Sequence, residues 1–167
     1  MKKITCFFMV LAFFLSGCSS LTRFIYKAPF TQSVKKEDIV AAVVNVLQSR
    51  GFTITTANEK LGLITTDWKS LTDAGGAGWS KALWGSADYR RMKISVSVND
   101  KTNLITINPV VGQTTEKSNR LMTSSTNESE ATMNEGEVKL VNKIVDELMT
   151  NLNLNPGSVE VIKQKED

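Results

Sequence analysis

Apolar and polar positions along the chain repeat with two different periods, and the switches between them mark out the elements. The run RFIYKAPF, from Arg23 to Phe30, is dense in aromatic and β-branched residues. It predicts a first strand with Pro29 near its end or on an edge. Ile39, Ala42, Val43, Val46 and Leu47 then recur at helical spacing. Ser33 is placed to cap that helix, Glu37 and Asp38 suit its positive start, and Gly51 sits where a C′ glycine would end it. Period two returns in FTITTANEKLGLITTDWKS, where Phe52, Ile54 and Thr56 alternate with polar residues. Asn58 to Gly62 carry turn chemistry and Leu63 to Lys69 alternate again, which predicts a hairpin. Asp88 to Asn99 alternate through Met92, Ile94, Val96 and Val98, and Asp100 to Asn103 read as a turn into a partner strand from Leu104 to Val111. A last helix, from Glu135 to Leu152, buries Val138, Val141, Ile144, Val145, Leu148 and Leu152, with Asn134 and Glu137 spaced as a capping box.

The remainder is less patterned. Residues 113–134 are rich in Ser, Thr, Asn and Glu, have little to bury, and predict a mobile polar loop. Pro156-Gly157 stops the last helix, and residues 156–167 form a C-terminal tail, either a short added strand or frayed. The order is β-α-β-β-β-β-α, of the α+β class. A single antiparallel sheet with two helices on one face, the helix-grip or TBP-like arrangement, would bury every apolar stripe in one domain over residues 23–155.

The amino-terminal residues follow another grammar. Lys2 and Lys3 precede an apolar run from Ile4 to Leu15, and Ser16 and Gly17 supply small residues before Cys18. This predicts a secretory signal over residues 1–17, its apolar run too short for a membrane span of about 20 residues. Leu15-Ser16-Gly17-Cys18 also resembles the lipobox of bacterial lipoproteins. That resemblance implies lipidation of Cys18, cleavage before it, and anchoring through three acyl chains, with residues 18–22 as a short tether. Each buried CH2 contributes about 0.8 kcal/mol to membrane binding, so two chains already anchor stably. By the same resemblance, Ser19 and Ser20 are not the aspartate that retains lipoproteins at the inner membrane, so the expected location is the outer membrane with the domain in the periplasm. Cys6 leaves with the signal, and the mature chain then holds no free thiol and no disulfide.

Charge and composition narrow the chemistry. Of 20 basic residues, Lys2 and Lys3 leave with the signal, so 18 face 17 acidic ones. That near-balance argues against a nucleic-acid partner. The chain has no histidine, which closes Ser-His and Cys-His nucleophile pairs and imidazole metal ligation. No Walker loop, GxSxG, HExxH or EF-hand loop occurs. Glu37/Asp38 and Glu135/Glu137 sit at helix starts, where the dipole accounts for them, and Asp146/Glu147 fall on a solvated flank. The expectation is a protein without catalytic residues, cofactor or metal.

LGLITTDW (Leu61 to Trp68), then YRRMKISV (Tyr89 to Val96), then a second strand and a final helix resemble one domain of the BamC family. These are lipoprotein accessory subunits of the machinery that inserts β-barrels into the outer membrane. Thr65, Thr66, Asp67 and Trp68 form the sharper match. The resemblance implies the fold and the anchor, but the chain has no room for the family's long amino-terminal segment or second folded domain, so no partner-binding residue is carried over.

Two stretches invite a binding role. Asp67 beside Trp68 could hold a cation or a sugar; the plainer reading has Trp68 covering a sheet face while Asp67 meets solvent, Arg90 or Arg91. The stretch from Leu71 to Asp88 carries Trp79 and Trp84, with Trp79, Ala82 and Leu83 on one face of a short helix. Its indoles either cap the open end of the sheet, or form, with Leu83, an interaction surface for other envelope proteins. The functional expectation is an outer-membrane lipoprotein that binds or scaffolds envelope proteins, accessory to envelope or outer-membrane protein assembly. The alternative is a carrier of a small apolar ligand or lipid between sheet and helix. The anchor is directly testable: labelled palmitate should enter the wild-type protein, and Cys18→Ser should abolish incorporation and leave an unprocessed or mislocalised product.

Overall fold

The computed structural model describes residues 21–31, 33–71, 86–118 and 124–166. In chain order these form β1 (Leu21–Pro29), α1 (Lys36–Ser49), β2 (Ile54–Asn58), β3 (Leu63–Thr66), β4 (Lys69–Ser70), β5 (Ser86–Asn99), β6 (Leu104–Ser118), β7 (Ser124–Ala131), α2 (Glu135–Asn151) and β8 (Glu160–Glu166), with a 3-10 turn at Pro156–Ser158. The fold is α+β: one antiparallel sheet of eight strands with two helices. The main path runs β2-β3-β5-β6-β1-β8, while β4 pairs with β5 and β7 with β6.

The long hairpin of β5 and β6 is the spine. Its register runs unbroken from Ser86↔Lys117 to Asn99↔Leu104. Both outer edges of the spine are shared between two strands. Along β5, β3 takes Ser95 to Ser97 and β4 takes Arg91 and Met92. Along β6, β1 takes Leu104 to Ile107 and β7 takes Val111 to Ser118. Pro109, which has no N–H, falls in the interval of β6 that neither β1 nor β7 covers. Pro29 likewise ends β1 beyond the reach of β8, whose register stops at Lys27↔Glu160.

Alternation sends one set of side chains to the helices. Tyr26 and Ala28, Ile64, Met92, Ile94, Val96 and Val98, and Ile105, Ile107 and Val111 are buried in one cluster. Ile39, Val43, Val46 and Leu47 of α1 and Val141, Ile144, Val145, Leu148 and Met149 of α2 complete it. Each fully buried aliphatic side chain contributes about 1.5–3 kcal/mol. Burial also pushes the Tyr26 phenol above its usual pKa. Arg50, just past α1, donates to Glu147 of α2 from Nε at 2.9 Å and Nη2 at 2.6 Å, tying the helices together. Glu147 is therefore paired rather than fully solvated, while Asp146 is exposed as expected. Among the described residues, no helix is long and apolar enough to cross a membrane.

The helix ends follow their sequence signals unevenly. The Asn134/Glu137 capping box forms, with Glu137 N–H donating to Asn134 Oδ1 at 3.0 Å and Asn134 N–H to Glu137 Oε2 at 2.7 Å. Gly51 takes φ +75° after α1, as a C′ glycine does. Ser33 does not cap α1. The N-cap is Lys35, without a side-chain bond, and the Ser33 hydroxyl lies 2.8 Å from that of Thr31.

The expected polar loop is corrected. Residues 113–134 are not a loop throughout: β6 continues to Ser118, and β7 pairs with it from Val111↔Ala131 to Ser118↔Ser124. Their polarity hid them because Asn127 to Glu130 are exposed, and a strand wet on both faces shows no apolar alternation. Ladder hydrogen bonds, not burial, hold this arm together. Of the two readings of the C-terminal tail, the added strand is the one that forms. β8 pairs with β1 from Leu21↔Glu166 to Lys27↔Glu160, and the described first strand begins at Leu21, two residues before the expected Arg23. Its Glu and Lys residues are those of a protected edge strand. The expected strand between Asp88 and Asn99 begins at Ser86, and the expected hairpin strand to Lys69 breaks at Asp67-Trp68 into β3 and β4.

Val145 tests the packing. Val145→Asp would bury an unpaired charge at a cost of several kcal/mol, against a total stability of about 5–15 kcal/mol, and should abolish the cooperative urea transition followed by circular dichroism. Glu147→Ala, which removes only a part-exposed ion pair, should cost less than about 1 kcal/mol.

Candidate binding surface around Trp68

Thr65 to Trp68 lie where β3 gives way to β4 on the same edge of β5. Thr65 pairs with Ser95 and Lys69 with Met92, so four steps on one side span three on the other. The extra residue is a bulge, and the side chains satisfy what the ladder loses. Buried Thr66 accepts the Ile94 N–H on its hydroxyl at 2.9 Å. Asp67 donates its N–H to Thr53 O at 2.8 Å. Its exposed carboxylate accepts the Trp68 N–H at 2.7 Å and pairs with neither Arg90 nor Arg91. The Thr65 hydroxyl meets that of Thr55 at 3.0 Å.

This bulge lays Trp68 on the sheet face away from the helices. The indole, half-buried, reaches across β5 to β6. The Arg91 guanidinium lies 4.7 Å and the Lys93 ammonium 4.9 Å from its ring centroid, both in cation–π range. At Gly112 a Cβ would stand 3.2 Å from Trp68 Cη2, 3.3 Å from Cζ3 and 3.3 Å from Arg91 Nε. Glycine is what leaves the ring room to approach the strand there.

Beside the indole runs a groove of 220 Å³ lined by Trp68, Arg91, Gly112, Glu128, Ser129 and Glu130. Arg91 Nη2 donates to Glu128 Oε2 at 2.9 Å, and Arg23 Nη2 to Glu130 Oε2 at 2.5 Å. The surface thus offers a flat apolar shelf bordered by cations and carboxylates in alternation. Such a pattern suits peptide-like ligands, with apolar bodies and charges of both signs.

A second cluster sits at the start of α2. Glu137, 6% exposed at its side chain, accepts from Arg90 Nε at 2.6 Å and Nη2 at 2.8 Å. Arg90 also donates to Thr132 O at 2.8 Å and Gln113 Oε1 at 3.2 Å. Its pKa is raised, first by the hydrogen bonds to Glu137. Glu137 was expected as a dipole partner at the helix start; it also clamps α2 to the spine. The adjoining cavity of 420 Å³ is lined by Leu71, Arg90, Asn134, Gly136, Glu137 and Leu140, with Arg90 and Asn134 both bonded to Glu137.

Thr65, Thr66, Asp67 and Trp68 thus form one bulge, in which Thr66 ties the strand to Ile94 and Asp67 caps the Trp68 amide. Cys18, Trp79, Leu83 and Trp84 lie outside the described residues. Sequence reasoning passed over Lys93 and Gly112. A lone glycine within a strand pattern, as in VVGQ, was the available signal of a close approach. Comparison with known proteins finds no family model and no curated protein that matches the sequence.

Gly112→Val tests the geometry of the shelf. Overpacking under the indole should cost about 1–3 kcal/mol. In a Trp79→Phe, Trp84→Phe background, the remaining emission should shift to the red as Trp68 is lifted into water.

Proposed function

We propose that the chain is an outer-membrane lipoprotein, anchored through Cys18, whose periplasmic domain binds or scaffolds other envelope proteins without catalysis. Its role is accessory to envelope or outer-membrane protein assembly. The observation that carries this reading is Trp68, packed over Gly112 with Arg91 and Lys93 in cation–π range, on the sheet face opposite α1 and α2. A half-exposed indole fixed by its supports is the kind of residue that concentrates binding energy at protein interfaces. The tether keeps the domain close to the bilayer: ten extended residues after Cys18 reach only about 35 Å.

The fold reads, within the same proposal, as helix-grip or TBP-like. The carrier alternative needs space between the sheet and the helices. Val141, Ile144, Val145 and Leu148 are instead no more than 3% exposed and share one cluster with the strands, which supports a filled interior. The absence of histidine supports a non-enzymatic role.

Trp68→Ala in the full, lipidated chain should reduce co-purification of envelope proteins from detergent-solubilised membranes several-fold. Arg91→Ala should do so to a smaller extent, and Lys143→Ala, an exposed change on α2, should leave recovery unchanged. Equal recovery with all three variants would remove the Trp68 face from the account.

A further inference from the structure

The strands that border the sheet are not equally protected. β8 carries Glu160, Lys163, Lys165 and Glu166, β7 carries Glu128 and Glu130, and β4 carries Lys69. Such charges discourage another strand from adding to an edge. β2 carries none: Ile54, Thr55, Thr56, Ala57 and Asn58 are all neutral, and the last four are exposed. Among the described residues it ends the strand order and pairs with β3 alone. Its outward backbone groups call for an extended strand, and its threonines suit one. Leu61, 70% exposed, and Leu63, 38% exposed, flank it in the turn and on β3.

We propose that β2 is a self-association edge, through which two copies of this chain pair antiparallel about a two-fold axis at Thr56. A second copy fits because the strand is complementary to itself. In that register Thr56 faces Thr56, Thr55 faces Ala57 and Ile54 faces Asn58, so no like charges meet and the central pair is Thr–Thr. The same operation on β8 would set Lys163 against Lys163, which disfavours the opposite edge. The bulge between Ile54 and Thr56 shortens the regular part of the strand. The contact is therefore small against the 1,200–2,000 Å² typical of stable interfaces, and a weak dimer results.

Single-cysteine cross-linking tests the axis. In the full chain carrying Cys6→Ser and Cys18→Ser, purified in detergent, Thr56→Cys would place two thiols on directly opposed residues. Their Cα atoms would lie about 4.5–5.5 Å apart, within disulfide range. Mild oxidation should then give a covalent dimer at least about tenfold faster than Lys163→Cys on β8, and Thr56→Lys should weaken self-association in sedimentation by about tenfold or more through like charges at the axis. Equal cross-linking at the two edges would overturn the proposal, as would a monomer at all concentrations up to the hundreds of micromolar. Capture of a different protein by Thr56→Cys in preference to a second copy would overturn it too.

Discussion

The unbroken register of β5 with β6 is the constraint from which the rest of the sheet follows. Among the described residues no other strand is long enough to cover either edge of that hairpin, so each edge is divided between two strands. The two junctions meet at one level, because the register sets Ile94, beside the β3–β4 junction, opposite Pro109, in the gap between β1 and β7. Below that level the sheet is wide and covered by helices. Above it, past Met92 and Val111, β7 and the ends of β5 and β6 form a polar arm. The junction beside Ile94 is also where the bulge turns Trp68 onto the open face, so the spine places both the core and the candidate surface.

Two ties keep the helices on their side. Arg50 with Glu147 joins α1 to α2, and Arg90 with Glu137 joins α2 to the spine. They differ in weight. The first is part-exposed and screened, worth about 0–1 kcal/mol. In the second, Glu137 is buried and also completes the cap of its own helix, so loss of the arginine would strand a charge at a cost of about 3–5 kcal/mol. The apolar stripes choose which face is covered, and the Arg90–Glu137 clamp holds the start of α2 in register above it.

Where burial drives folding, the elements are legible in the amino-acid pattern. Ile94, Val96 and Val98, or Val141, Ile144 and Val145, repeat with the period of the element that buries them. Where hydrogen bonding alone holds a strand, the pattern falls silent, as in β7, with its exposed Asn127 to Glu130, and in β8. The Thr65–Trp68 stretch stood out as a resemblance, but its physical reason did not. That Thr66 replaces a ladder acceptor and Asp67 caps the Trp68 amide depends on a register mismatch which only the paired strands reveal. Gly112 and Lys93 are distant from Trp68 in sequence and meet it through the same register.

The central claim is that the sheet face around Trp68, opposite α1 and α2, meets another envelope protein. A photo-cross-linking amino acid in place of Lys93, in the full chain expressed in a Gram-negative cell, tests it most directly. The same substitution at Asn142, exposed on α2, serves as the reference. Irradiation should give discrete adducts with a small set of envelope proteins at position 93 and none of them at position 142. Identical adducts at both positions, or none at position 93 in a correctly localised protein, would contradict the account.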